Sequence, residues 1–336
     1  MRLSVLDQSP ISEGSTGGQA LRNSLELAAL ADRLGYHRFW MAEHHASPAL
    51  ASTSPELMLA AIGRETRQIR LGSGGVMLPH YSPFKVAESF SMLAGLFPGR
   101  VDLGLGRAPG SDQLTAYALQ QDRRTRAQME FPQQLQELLA YFDSALPEGH
   151  PFRHLSANLP GGAEVPEVWI LGSSSDSAEL AGVLGLPYCI ADFIAGEVPE
   201  LAQRYRATFR RSARADAPQL MVACWTVAAE TAVAAAWLAG PSRMMFAHLM
   251  RGELIAVPSP ERAAHWLTDN PVPSPSNRRP VTGSAADCRA RLLEKARIYG
   301  ADELMLVNIL HDHQDRMQSY RLIAEAMIDT KVAAPA

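Results

Sequence analysis

The chain has 336 residues, of which 47% are apolar and 20% charged, and a formal net charge of −4. Such a composition supplies a large buried core and excludes global disorder. The near-neutral balance, with no Lys/Arg tract interleaved with aromatics, argues against nucleic acid as a partner. Met1-Arg2-Leu3-Ser4-Val5-Leu6-Asp7 is too short an apolar run for a signal-peptide core, and no stretch approaches the roughly 18 residues of a membrane span. A cytoplasmic protein with no membrane partner is therefore expected. Cys189, Cys224 and Cys288 are widely spaced, so neither a disulfide framework nor a thiolate metal site is indicated.

Residues 2–7 form an apolar run suited to a strand buried on both faces, and Leu21, Leu25, Ala28, Ala29 and Leu34 then recur at helical spacing up to Gly35. The same unit repeats as strand 37–42 with helix 55–65, strand 68–77 with helix 83–97, and strand 101–106. A polar stretch at 107–130 reads as an insertion over one end of the fold, followed by helix 131–145 and a Pro/Gly-rich loop at 146–166. Strand 167–171, helix 175–185, strand 187–191, helix 197–211, strand 219–228 and a long helix 230–250 continue the rhythm. Between 252 and 283 the periodicity disappears and prolines cluster, which predicts a mobile lid. Ser284 can cap helix 285–299, and 302–308 supplies an eighth strand before helix 314–328. Eight strands alternating with helices predict one (β/α)8 TIM barrel over residues 1–336.

Seven of these runs end abruptly in small or polar residues: Asp7-Gln8-Ser9, Glu43-His44-His45, Ser73-Gly74-Gly75, Gly106-Arg107, Gly172-Ser173-Ser174, Asp192 and Asn308. In a parallel barrel such ends converge on one face, where active sites form. Arg107, just beyond Gly106, suits a phosphate or, equally, a salt bridge to the insertion. Gly172-Ser173-Ser174-Ser175-Asp176-Ser177 opens a helix, which suits an anion or ordinary serine capping. Gly74-Gly75 allows close approach to a flat ligand, or a β-bulge. The run Gly104-Leu105-Gly106-Arg107-Ala108-Pro109-Gly110 is not a dinucleotide fingerprint, since its spacing is wrong and a proline stands where the helix should open. Glu43-His44-His45 offers an acid or base at neutral pH, or packing histidines. Neighbours on a strand face opposite ways, so His44 and His45 reach one metal only if the chain turns there, and His311-Asp312-His313 lacks a carboxylate set, which weakens a metal reading. Trp40, Met41, Met77 and the 107–130 insertion are candidate walls of a pocket for something partly apolar, or, equally, residues packed in the core.

Together the segments Leu3–Pro10, Gly35–His45, Leu71–Pro79, Phe97–Asp112 and Gly283–Asn308 resemble, in order and over nearly the whole chain, the bacterial luciferase-like flavin monooxygenases, especially their non-luminescent members. The resemblance implies FMN at the barrel mouth, its ring against Gly74-Gly75 with Ser73 and Glu43 nearby, and its phosphate held by Arg107, Gly172, Ser173, Ser174 and Ser177. It implies His44 beside the reactive part of the flavin. It also implies a separate flavin reductase as supplier of reduced FMN, O2 and a small organic substrate as reactants, and a homodimer. Gly106 stands where light-emitting relatives commonly carry a cysteine, and Ser173 where they carry an acid, so luminescence is not expected. The rival readings are deazaflavin (F420)-dependent hydride transfer, a flavin-binding protein without turnover, and a metal-dependent barrel hydrolase.

Overall fold

Short apolar runs buried on both faces cannot satisfy their backbone alone, and in this chain each becomes a parallel strand backed by a helix. The computed structural model describes residues 1–107, 113–119, 131–271 and 280–328. β1 (Arg2–Asp7) leads to α1 (Gly17–Leu34), β2 (Arg38–Met41) to α2 (Pro55–Glu65), and β3 (Arg70–Met77) through a 3-10 turn to α3 (Pro83–Leu96). β4 (Val101–Gly106) precedes α4 (Gln113–Leu119) and α5 (Phe131–Asp143). Then follow β5 (Glu167–Gly172), α6 (Ser175–Val183), β6 (Tyr188–Ala191), α7 (Asp192–Ala195), α8 (Glu200–Thr208) and β7 (Leu220–Ala228). The chain continues through α9 (Ala232–Leu238), α10 (Gly240–Leu249), α11 (Pro260–Asp269), β8 (Val281–Gly283), α12 (Ala285–Tyr299), β9 (Glu303–Val307) and α13 (His313–Met327).

The strands run in the order β6-β5-β4-β3-β2-β1-β9-β7, and pairing of β6 with β7 closes the ring. Every pairing is parallel, so the fold is a (β/α)8 barrel whose eighth strand is β9. The short β8 lies outside the ring, paired to the far end of β7 through Thr226 and Val281.

Two expectations are corrected. The long helix expected at 230–250 breaks into α9 and α10 at Gly240-Pro241, because a proline lacks the N–H that would continue the ladder. Nor is 252–283 irregular throughout. Residues 260–269 form α11, with Pro260 in its first turn and the Ser259 hydroxyl accepting from Arg262 N at 3.2 Å. Val257 is stitched to the loop after β1 by two backbone bonds, to Ile11 O at 2.8 Å and from Glu13 N at 2.9 Å. Residues 272–279 of that segment and most of the 107–130 insertion lie outside the described residues.

Alternation along the strands separates two cores. Outward residues such as Leu3, Val5, Phe39 and Leu306 pack beneath the helices, whereas Leu6, Trp40, Trp169, Met221, Met305 and Val307 fill the barrel. Trp40 and Trp169 meet edge to face at 5.7 Å, and Trp40 Nε1 donates to Asp102 Oδ2 at 2.9 Å. Below them, at the N-terminal ends of the strands, Arg38 reaches Asp102 at 2.9 Å and Glu303 at 3.2 Å, closing the bottom with paired charges.

Room for the Trp40 ring comes from glycines on the neighbouring strands. A Cβ on Gly72 would lie 2.2 Å from Trp40 Nε1, and one on Gly104 would lie 3.1 Å from its ring and 2.1 Å from Ser73 O. Gly104→Ala therefore overpacks a contact made to backbone, which cannot swing away, and is expected to cost about 1–3 kcal/mol or more. Urea unfolding measures this; an unchanged midpoint would show that the β3–β4 contact yields freely.

Candidate active site

Four of the seven polar strand ends gather at the C-terminal rim of β2 to β5, and strand parity decides what each presents there. Ala42 packs in the barrel interior, and beyond it Glu43 and His45 meet each other, their side chains 2.8 Å apart. The buried Glu43 carboxylate is engaged by protein donors: Oε1 accepts from His45 Nε2 and from the Tyr81 hydroxyl, both at 2.8 Å, and Oε2 accepts from Met77 N at 3.0 Å. Glu43 thus ties the end of β2 to the end of β3. Tyr81 escaped the sequence reading because nothing local pairs it with a carboxylate 38 residues away. Burial, reinforced by the Glu43 charge, raises its hydroxyl pKa, so Tyr81 remains a donor.

His44 has a different setting. Its backbone N–H donates to Ser52 O at 2.8 Å, while its Nδ1 is buried without a partner. Burial, with a smaller contribution from His45, pushes its pKa down from 6.5 to about 4, so the ring is neutral at pH 7. As pH falls from 6.5 to about 4, the unfolded chain takes up a proton at His44 that the folded chain refuses, so stability is lost across that window. The loss attributable to His44 reaches about 2 kcal/mol at pH 5. Urea unfolding of the wild type and His44→Asn at pH 7 and pH 5 measures it: the variant should lack this part of the decline, and an identical decline in both would disprove the attribution.

At the end of β3 the Gly74–Gly75 peptide is cis, and the pairing with β4 shifts register between Gly74 and Val76. The β-bulge reading of this pair is therefore met. A Cβ on Gly75 would lie 2.8 Å from Gly104 O and one on Gly74 2.5 Å from Leu6 Cδ1, so the space the two glycines leave is taken up by the barrel itself. Ser73 is fully buried on the outward parity, and its hydroxyl donates to Gly104 O at 2.8 Å.

Arg107 stands at the end of β4, 58% exposed, with Nη1 at 3.4 Å from Asp176 Oδ2 in the first turn of α6. That contact brings Arg107 to the same rim as the Gly172–Ser177 turn. Within the turn, Ser174 and Ser177 form a capping box, and Ser177 Oγ lies 3.0 Å from the Tyr188 hydroxyl. A Cβ on Gly172 would lie 2.2 Å from Ser177 Oγ, so that glycine admits the capping serine. Ser173 is exposed. The cap uses the N–H of Ser177 and leaves those of Ser175 and Asp176 at the open helix end, where the Asp176 carboxylate meets the Arg107 guanidinium.

The other polar ends belong to the scaffold. Asp7 pairs with Arg316 of α13 at 2.6 Å, Asp192 with Lys295 of α12 at 2.9 Å, and Asn308 Nδ2 donates to Thr226 O and Ser319 Oγ, both at 3.0 Å. All three lie on the outward parity. For Trp40 and Met41 core packing is the reading met, since both are fully buried, one inside the barrel and the other beneath the helices. The aromatic pair that tops the barrel interior is instead Phe193 and Trp225, edge to face at 6.0 Å, with Trp225 Nε1 donating to Phe193 O at 3.1 Å. Trp225 follows Met221 and Ala223 at period two, a spacing from which its inward position could have been read. His311 and His313 do not converge: His311 Nδ1 lies 2.9 Å from Val257 O and His313 Nε2 lies 3.2 Å from Glu26.

A closed parallel (β/α)8 barrel with ionisable groups gathered at the C-terminal ends of its strands has the layout of a barrel enzyme. The chain belongs to the luciferase-like monooxygenase family, whose model matches residues 1–303. It is 39% identical to a luciferase-like monooxygenase of Escherichia coli, with 95% of each chain covered. It is 33% identical to an N-acetyl-S-alkylcysteine monooxygenase of Bacillus subtilis, over 98% of this chain and 99% of that one. The crystal structure of apo-MsnO8 superposes with a TM-score of 0.85 at 38% identity, over 97% of each chain.

Proposed function

We propose that the protein is an FMN-dependent monooxygenase that takes reduced FMN from a separate flavin reductase and uses it with O2 to oxidise a small, partly apolar organic substrate. The observation that carries the reading is the Arg107–Asp176 contact, which sets a guanidinium against the open end of α6. The residues present fit a flavin phosphate. An exposed ion pair of this kind contributes about 0–1 kcal/mol and yields readily to a dianion. The N–H groups of Ser175 and Asp176 add donors aligned with the helix dipole. Bound reduced FMN would supply the two electrons that, with O2, place one oxygen atom in the substrate and the other in water.

The chain's own residues have separable tasks. Arg107 and the α6 turn grip the anion, with Ser173, Ser174 and Gly172 shaping that turn. Glu43, with Tyr81 and His45, holds the ends of β2 and β3 together so that the Gly74-Gly75 bulge keeps its place at the rim. His44, neutral and with Nδ1 unpartnered, accepts a proton at that atom. Phe193 and Trp225 provide an apolar wall for the substrate. The α11 segment, joined to the loop after β1 through Val257, lies where a cover that excludes water would be anchored. The reading includes a cytoplasmic homodimer, for which exposed Leu57 on α2 and Met92 and Leu96 on α3 offer apolar surface, and light scattering gives the mass.

Turnover decides the reading. With a flavin reductase, FMN and a panel of thioethers, ketones and long-chain aldehydes, oxygen consumption should become coupled to product; turnover with reduced deazaflavin in place of reduced FMN would replace the reading with hydride transfer. Asp176→Asn removes the carboxylate that competes with phosphate for Arg107. FMN binding is expected to tighten a few-fold, in keeping with the modest worth of an exposed pair, and a titration showing weaker binding would assign Asp176 the opposite role.

A further inference from the structure

We propose that Lys295 is a positioning residue: through Asp192 it fixes the helical turn that carries Phe193, and so sets the aromatic wall against which the substrate rests. The inference rests on the monooxygenase reading above. Lys295 belongs to α12 and falls on the buried face of that helix, with Cys288, Leu292 and Tyr299. A lysine is almost never fully buried unless it is paired. This one is 4% exposed, with Nζ 2.9 Å from Asp192 Oδ2 and 3.5 Å from Glu197 Oε2.

Tyr299, one turn further along α12, supplies a second hold. Its hydroxyl donates to the same Asp192 oxygen at 2.9 Å and accepts from Val198 N at 2.7 Å. The segment from Asp192 to Val198 is thereby tied to α12 at both ends. Between those ties α7 is one turn of four residues, closed by Gly196 N donating to Asp192 O at 2.7 Å. A helix this short does not repay its own nucleation, so its place is set by what it is fastened to.

Phe193 is what α7 presents on its other side. Asp192 points to α12, whereas Phe193 packs on the barrel interior together with Trp225 and Leu171. The Phe193 and Trp225 rings meet edge to face at 6.0 Å, and Trp225 Nε1 donates to Phe193 O at 3.1 Å. Both are half-buried, and α7 directly follows β6, so they stand at the end of the barrel where the ionisable groups gather. The indole N–H is taken by a backbone carbonyl, which leaves the wall apolar toward a ligand.

Stability is a poor reason for burying such a pair, because well-packed apolar residues of similar volume serve as well or better. Direction is what the pair adds. Ammonium, carboxylate and phenol meet at fixed distances, whereas apolar contacts would let α7 slide along α12.

The test compares the wild type with Lys295→Met/Asp192→Leu, which removes both charges together and strands neither. Tyr299→Phe removes the other hold on Asp192 without a change of charge. With 15N-labelled tryptophan, the Trp225 indole signal is identified by its loss in Trp225→Phe. Its N–H should exchange with solvent about tenfold faster in the double variant and about threefold faster in Tyr299→Phe, the scale of one weakened hydrogen bond. The signals of Trp40 and Trp169, inside the barrel, should stay as in the wild type. On whichever thioether, ketone or aldehyde of the panel is turned over, the double variant should raise KM about tenfold with kcat and FMN affinity near wild type, as for lost uniform binding. Unchanged Trp225 exchange in both variants overturns the positioning, and so does unchanged exchange in Tyr299→Phe should the double variant not fold. Faster exchange with KM unchanged overturns the link to substrate. A wild-type protein that turns over none of the panel overturns the monooxygenase reading instead, and the indole exchange, which needs no flavin, still decides whether Lys295 fixes α7.

Discussion

Replacing Arg107 by alanine is expected to weaken FMN binding roughly 30- to 150-fold, about 2–3 kcal/mol, while riboflavin binds as it does to the wild type. The magnitude follows from what the guanidinium faces. In the structure its carboxylate partner at 3.4 Å is the exposed Asp176, a pair that adds little to stability. Against a phosphate covered by ligand, the same guanidinium makes charge-assisted bonds in a drier setting. Riboflavin carries no phosphate, so it separates loss of the anion grip from a general collapse of the mouth. Arg107→Lys should fall between, because an ammonium keeps the charge and loses the planar fork. If Arg107 only salt-bridged the rim, the alanine variant would melt earlier and bind FMN unchanged. An unchanged FMN titration would thus retire Arg107 as the phosphate ligand.

The second large effect is expected at His44. His44→Asn should lower kcat about 100- to 10,000-fold, the usual range for removing a positioned acid or base, with FMN affinity close to wild type. The reason is its unusual state: the ring is held neutral at pH 7 by burial, and Nδ1 lacks a protein partner. A neutral imidazole can take a proton but has none in excess to give, so activity should fall as acid titrates the ring through about 4, and the variant should lack that limb. Pre-steady-state rates after brief pH jumps, short enough to precede acid unfolding, give the profile. If His44→Asn turns over at the wild-type rate, the proton acceptor lies elsewhere. Glu43 and His45 are poorer candidates, because each is already engaged with the other at 2.8 Å.

Much of the barrel was legible because its strands are buried on both faces and its helices on one, a contrast visible in hydrophobic spacing. The two helical regions that depart from the simple periodicity carry local signals of their own. Gly240-Pro241 interrupts the α9–α10 stretch, and Ser259-Pro260-Glu261 is a helix start inside a segment judged irregular from its proline content. Ser73 and Trp40 show a different limit. Both stand close to the rim in sequence, yet one faces β4 and the other fills the barrel, because a single step along a strand reverses the face presented.

From the sequence alone came the eight-strand rhythm and the loops that carry polar residues, both consequences of periodicity along one chain. Only the tertiary structure decided which polar ends meet. Asp7, Asp192 and Asn308 are claimed by α13, α12 and β7, Glu43 finds Tyr81, and Arg107 arrives beside α6. Those partners lie tens to hundreds of residues apart. Closure of the ring brings them within hydrogen-bond reach, and no pattern within one segment encodes that distance.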